Sequence, residues 1–342
     1  MADDERLAAE LRLAAQRGEI IAQYQPQVDL HDGLLVALEA LSRWRHPSRG
    51  VIPPAEFIPL AEATGAMIAI GDVMLEAACR YGAALVRAGR PIEVAVNVAA
   101  AQLSEATFAE RVAHHLATTG MPPALLTLEL TETRAVPEEA AETLAGIRAA
   151  GIGISVDDVR TVEEAELRVR SLPITELKVD RSVITRLPED RSVAARLVGF
   201  AHDHGLRAVA EGVETQPQFV AVRELGFDRA QGYLFGRPAP ERAISARLAV
   251  ATAPGVPGVV MAAPGAVATA PGVPGPGVPP GGRSAQSAAL GGSWYASSSS
   301  EPTASAASSG SPPTSICDQV TGIPGENRMS MPGPPRRGGT FT

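Results

Sequence analysis

Between residues 92 and 250, short apolar runs alternate with helix-like runs, and this alternation constrains the chain more than any other feature. The apolar runs are 92–98, 125–130, 152–156, 174–179, 207–210 and 231–235. Between and after them, 102–118, 138–150, 163–171, 191–204, 216–224 and 241–250 carry helical periodicity. Strands this short and apolar, each followed by a helix, form a parallel sheet covered by those helices. Upstream, 20–30 and 34–44 read as two more strands joined by a hairpin-type turn at His31-Asp32-Gly33. Residues 57–87 read as a helix broken at Thr64-Gly65, and 2–17 as a helix with a Leu/Ala face. About eight strands over this length fit a closed (β/α)8-type barrel. The alternative is an open doubly wound sheet, but no glycine-rich phosphate loop follows the first strand to support it.

The periodicity stops near residue 250. Residues 251–342 hold 15 of the 29 prolines and 16 of the 33 glycines, so about a third of this stretch is Pro or Gly. The segment VATAPGVPG occurs at 250–258 and again at 267–275. Such composition reads as a disordered tail. The organisation expected is therefore a helix at 1–17, a barrel domain at 18–250 and a tail at 251–342. Outside the tail there are 26 basic and 35 acidic side chains, which counts against a nucleic-acid partner. Two cysteines, Cys79 and Cys317, make no disulfide framework. The acidic, amphipathic start is no signal peptide, and prolines interrupt the most apolar stretch, 249–278. A cytoplasmic protein without a membrane span is the expectation.

In a parallel barrel the functional groups sit at the C-terminal ends of the strands. Those ends are unusually polar here. Glu39 lies in the second strand, Asn97 ends the third, Glu129 precedes Glu132, and Asp157-Asp158 end ISVDD. Lys178 is followed by Asp180, Glu211 follows RAVA, and Gln231 opens QGYLFG. One acid after a strand is ordinarily a helix cap. A whole ring of them would repel strongly unless cations intervened. Oxygen donors without His or Cys favour Mg²⁺ or Mn²⁺, and two such ions suit phosphoryl transfer. Lys178 is the chain's only lysine among 30 basic residues, as though this position needs a compact ammonium. The pairs His114-His115 and His202/His204 read as solvated helix faces, and Trp44 as core or pocket wall.

These motifs resemble the EAL-domain family of cyclic-di-GMP phosphodiesterases. The triplet Glu39-Ala40-Leu41 lies in LEALSRWRHPSRGVIPPAEFIPLAEATG (38–65). The motifs YQP (24–26), VNV (96–98), LELTE (128–132), DD (157–158), LKVDRS (177–182), EGVET (211–215) and QGYLFGRP (231–238) follow in order. The resemblance covers roughly 15–248 and implies a modified TIM barrel whose first strand runs antiparallel. It implies hydrolysis of one 3′–5′ phosphodiester of cyclic di-GMP to linear pGpG, with two Mg²⁺ or Mn²⁺ ions. By position, Glu39, Asn97, Glu129 and Asp157 would hold the first ion, and Asp157, Asp158 and Glu211 the second. Lys178 falls on the water-orienting lysine, Glu132 on the glutamate that steadies the loop after Asp158, and Gln25, Arg43, Asp180 and Gln231 on substrate contacts. A homodimer and an unknown regulatory partner complete what the resemblance implies.

One segment departs from the pattern. The family follows its aspartate pair with a glycine-rich loop, typically DDFGTGYSS, where this chain has DDVRTVEEA (157–165). Arg160 and Val162 replace glycines, and Glu163 and Glu164 add two carboxylates expected beside the site. In the family this loop shapes the second metal site and contributes to the dimer. Ala99 stands where the family usually has Ser. Two readings follow: a working phosphodiesterase, or a cyclic-di-GMP receptor or interaction module without turnover.

Overall fold

The computed structural model describes residues 2–130 and 140–250. The tail, and Glu132 with it, lie outside the described residues. In chain order the elements are α1 (Ala2–Ala14), β1 (Ile20–Asp29), β2 (Leu35–His46), β3 (Gly50–Ile52), α2 (Pro54–Thr64), α3 (Met67–Arg87), β4 (Glu93–Val98), α4 (Ala100–Leu103), α5 (Phe108–Thr119), β5 (Leu126–Leu130), α6 (Ala140–Ala149), β6 (Gly153–Val159), α7 (Val162–Ser171), β7 (Glu176–Val179), α8 (Arg181–Ile184), α9 (Ser192–Asp203), β8 (Arg207–Ala210), α10 (Gln216–Glu224), β9 (Arg229–Gln231) and α11 (Glu241–Val250).

The sheet runs β1-β9-β8-β7-β6-β5-β4-β2-β3, and pairing of β1 with β2 closes eight of these strands into a barrel. β1 is antiparallel to both its neighbours, β2 and β9, while the remaining barrel pairs are parallel. The hairpin between β1 and β2 forms where the sequence places it. Asp29 Oδ1 accepts from the N–H of His31 at 2.7 Å, and Gly33 takes φ 75°, which a glycine adopts without steric cost. The small strand β3 pairs with β2 alone, outside the barrel.

Each parallel strand is buried on both faces, but the two faces differ. Outward side chains such as Val94, Val96, Leu126, Leu128, Ile154 and Leu177 pack beneath the helices and make the core. Inward side chains are largely polar, because Glu129, Asp157 and Glu39 all reach Lys178 on the barrel axis. The opposite end of the barrel is closed by ion pairs between strand-opening residues. Arg207 lies 3.1 Å from Glu93 and 3.0 Å from Glu176, and Arg229 lies 3.0 Å from Glu93. Burial pushes the Glu93 carboxyl up, but Arg229 and Arg207 outweigh it and hold it below its ordinary value.

Three elements differ from the sequence expectation. The single helix expected over 102–118 is two, α4 and α5. Leu103 and Phe108 are both buried, and five residues apart they would point about 140° apart on one helix. The strand expected over 231–235 lies earlier, so Gln231 ends β9 rather than opening a strand, and 232–236 is a turn with Gly236 N–H donating to Gly232 C=O. A Cβ at Gly232 would fall on the Val213 backbone, which explains the glycine there. Finally, β6 runs on to Val159. Trp44 is core, fully buried with its indole N–H on Glu19. His115 is not a solvated residue: it is buried and bonded to Asp72 at 3.1 Å. Among the described residues no helix is long and apolar enough to cross a membrane.

Candidate active site

Lys178, the penultimate residue of β7, is fully buried and places its Nζ among four carboxylates. Glu211 Oε1 is 2.7 Å away, Glu129 Oε2 3.0 Å, Asp157 Oδ1 3.3 Å and Glu39 Oε2 3.7 Å. These come from β8's end, β5, β6 and β2, so only barrel closure assembles them. Asn97 of β4 donates to Glu39 at 2.8 Å. Gln231 of β9 donates to Glu39 at 2.5 Å and to Gln25 of β1 at 3.1 Å, and Gln25 donates to Gly236 C=O. All eight barrel strands therefore supply a polar group to one end, as the strand-end argument anticipates.

The aspartate pair needs a local device. Successive strand residues point to opposite faces, so Asp157 and Asp158 could not ordinarily share a site. Here the pairing of β6 with β7 slips between Val156 and Val159, and Asp158 takes φ 58°. Aspartate tolerates this left-handed conformation better than most side chains. The bulge turns both carboxylates to one cluster, where oxygens of Asp157, Asp158 and Glu211 lie within 4.8 Å of one another.

The divergent segment behaves differently from the expectation. Among the described residues Asp158 is the non-glycine residue with positive φ, so Arg160 and Val162 carry no such strain. Thr161 caps α7: its hydroxyl accepts from Glu164 N–H, while Glu164 Oε2 accepts from the N–H of Arg160 at 2.8 Å. Glu163 lies 3.6 Å from Arg196 on α9. The two added carboxylates therefore serve a helix N-terminus and a surface ion pair rather than entering the cluster.

The electrostatics follow from burial. Burial, and then Glu39, push the Glu129 carboxyl well up, with Lys178 opposing. Burial and Asp157 do the same to Glu211. Burial opposes the charge on Lys178, but Asp157, Glu129, Glu211 and Glu39 overcome it and hold its ammonium charged far above the usual lysine range. One ammonium faces four acids, so the cluster has oxygen donors and negative charge in excess. That donor set fits a hard divalent cation, and the oxygens of Asp157, Asp158 and Glu211 are close enough together to hold one.

A cavity of about 390 Å³ opens beside the cluster, with Glu39, Asn97, Asp157 and Asp158 at its polar end and Ile58 and Met67 on its apolar wall. A larger groove of about 470 Å³ between α5 and α6 is lined by apolar side chains and glycine and lies away from this chemistry. Arg43 is half-buried, donates to Ser42 C=O at 2.7 Å, and is held below its usual pKa by burial. Asp180 caps α8 by accepting from Ser182 N–H at 2.7 Å. Inward groups absent from the sequence expectation include Ser155, Gln27, Thr127 and Glu176; each lies two residues from a predicted site residue on the same strand face, and that period was the available signal.

A profile described as EAL domain matches residues 8–238. The chain belongs to the EAL domain family. Among curated EAL relatives, MucR of Pseudomonas aeruginosa, named a bifunctional diguanylate cyclase/cyclic di-GMP phosphodiesterase, is 36% identical over 250 residues, covering 71% of this chain and 36% of that protein. NbdA of the same organism, named a cyclic di-GMP phosphodiesterase, is 38% identical over 245 residues, covering 70% of this chain and 31% of that one. The matched part thus spans about a third of these relatives' length. Among solved structures, the EAL fold here superposes on the PaMucR phosphodiesterase in its c-di-GMP complex with a TM-score of 0.65 at 36% identity, covering 70% of this chain and 99% of that one. It also matches an EAL domain protein from Listeria monocytogenes at TM-score 0.63 and 26% identity, covering 71% and 97%.

Proposed function

We propose that this EAL domain hydrolyses one 3′–5′ phosphodiester bond of cyclic di-GMP to give linear pGpG. The observation that carries this reading is the convergence on Lys178 of four carboxylates from four different strands, in a family whose similar members are named for that activity. In this reading Glu39, Asn97, Glu129 and Asp157 hold a first Mg²⁺ or Mn²⁺, and Asp157, Asp158 and Glu211 a second. When bound, such ions supply Lewis-acid stabilisation of charge on the phosphoryl oxygens.

The chain's own groups supply the rest. Lys178, pinned by its carboxylates, has N–H donors with which to hold the attacking water by its oxygen. In the reaction the water's hydroxyl joins phosphorus, the bond to the 3′ oxygen breaks, and that oxygen leaves with a proton. Arg43 offers a half-buried cation to a phosphate, and Gln25, Gln231 and Asp180 are assigned to the remaining substrate contacts. Glu132 is assigned to steadying the loop after Asp158 on the resemblance alone. The receptor alternative drew its support from the divergent segment, and the folding of that segment as a capped helix away from the cluster removes this ground. A homodimer, a regulatory partner and a cytoplasmic setting belong to the same reading.

The test is pGpG formation by the full chain with Mg²⁺ and with Mn²⁺, beside the Lys178→Ala variant. We expect product from the parent and a loss of about 10²–10³-fold in the variant, the usual range for removing one positioned hydrogen-bond donor from a reacting site. Binding of cyclic di-GMP without product from the parent would overturn the enzyme reading and leave the receptor one.

A further inference from the structure

The barrel interior beneath the acid cluster stays polar, and Ser155 there has no assigned task. Side chains alternate along a strand, so Ser155 shares the inward face of β6 with Asp157, and Thr127 shares that of β5 with Glu129. The inward direction is fixed by contacts: Asp157 and Glu129 lie against Lys178, and the Thr127 hydroxyl donates to Glu93 at 2.6 Å. Ser155 is the direct register partner of Glu129 across β5 and β6. Adjacent strands are about 4.8 Å apart, so a seryl hydroxyl and a glutamate on the same face are within one rotamer of contact.

Both residues are 0% exposed. The Ser155 hydroxyl has no hydrogen-bond partner among the described residues, and neither Glu129 oxygen has one; Glu129 is held by its ion pair with Lys178. A buried hydroxyl without a partner costs stability, and a carboxylate that ligates a cation needs an outer partner to orient it. Each residue has what the other lacks, a donor on one side and open lone pairs on the other.

We propose that Ser155 is a positioning residue for the cation site: its hydroxyl, unpartnered in the metal-free protein, turns to donate to the Glu129 carboxylate once a divalent ion is bound and so orients it toward that ion. This rests on the reading of the cluster as a divalent-cation site. Ser155 touches neither substrate nor reacting atoms; it acts through Glu129. Glu176, its register partner on β7, is occupied by Arg207 at 3.0 Å, which leaves Glu129 as the acceptor in need.

The experiment is a calorimetric Mn²⁺ titration of the full chain without substrate, with thermal melts in EDTA, on the parent, Ser155→Ala and Ser155→Thr. We expect Ser155→Ala to bind Mn²⁺ about tenfold more weakly. Its metal-free melting temperature should be no lower than the parent's, because the variant removes an unpartnered buried hydroxyl. Ser155→Thr keeps the hydroxyl and should recover the affinity; if that variant does not fold, the Ser155→Ala isotherm decides alone. Unchanged Mn²⁺ affinity in Ser155→Ala overturns this inference while leaving the cation reading intact. Weaker binding together with a lower metal-free melting temperature also overturns it, since a packing role explains both. A parent that binds no Mn²⁺ overturns the cation reading and this inference with it.

Discussion

Lys178 shows why one residue type is not exchangeable for another. An arginine fork is planar and extended, whereas four carboxylates from four strands converge here on a single point. The chain uses arginine at every other basic position, so the exception was visible in composition alone. What composition did not show is that this ammonium is the counter-charge of the whole cluster. Removing one partner from a buried ionic group typically costs about 3–5 kcal/mol. Lys178→Met should therefore lower the metal-free melting temperature by roughly 6–20 °C, at about 2–4 °C per kcal/mol for a domain of this size. Addition of Mn²⁺ should restore a larger part of the loss than it adds to the parent. Equal melting of variant and parent in EDTA would show that the cluster carries no strain for the lysine to relieve.

At the scale of the element, β6 matters most, because its bulge brings two consecutive carboxylates to one side. The dipeptide Asp157-Asp158 was legible as a candidate, but the strand period alone would have sent its halves apart. The bulge is a pairing event between β6 and β7, and no local propensity announces it. It separates two effects that substitution can test. Asp158→Gly keeps the positive φ cheaply and removes the carboxylate, so its denaturant stability should stay near the parent's while Mn²⁺ affinity falls. Asp158→Val removes the carboxylate and is also strained at φ 58°, so it should be less stable than Asp158→Gly by about 1–2 kcal/mol. Equal stability of the two would place the strain elsewhere. The next element, α7, carries the segment that departs from the family pattern, and its capping box Thr161/Glu164 was written in the sequence as T-x-x-E without being read as such.

For the whole molecule, the barrel's two ends differ in kind. One end is neutralised internally, with Glu93 and Glu176 paired to Arg207 and Arg229. The other carries acid in excess of its single ammonium, and this sets the response to pH. Burial and neighbouring acids raise the Glu129 and Glu211 carboxyls, so these two groups hold more protons in the folded metal-free protein than in the unfolded chain. Stability from these two groups is complete below the ordinary carboxylate pKa of about 4.3 and is lost as pH rises toward their raised values. Divalent ions require both acids ionised, so binding releases protons and gains strength with pH. The rise in melting temperature on adding Mn²⁺ should therefore grow between pH 5 and 8, and calorimetric heats should depend on the buffer's ionisation enthalpy. A rise independent of pH would mean that the acids are already ionised without the metal.

What the sequence determined by itself was local and periodic. The strand–helix alternation, the polar groups at strand ends and the hairpin at His31-Asp32-Gly33 all depend on neighbours a few residues apart, and they formed as the side-chain pattern requires apart from the split at 102–118 and the shift of the strand expected at 231–235. What only the tertiary structure decided depends on closure. Pairing of β1 with both β2 and β9 brings Gln25 to Gln231 across 206 positions of chain, and the register of β5 with β6 sets Ser155 beside Glu129. The ion pairs at the opposite end are of this second kind too: Glu93, Glu176, Arg207 and Arg229 each open a different strand, and only a ring of eight strands makes them neighbours. A charge's meaning in this fold comes from the strand opposite it, and the contact that joins them is fixed by how the barrel closes rather than by any periodicity along the chain.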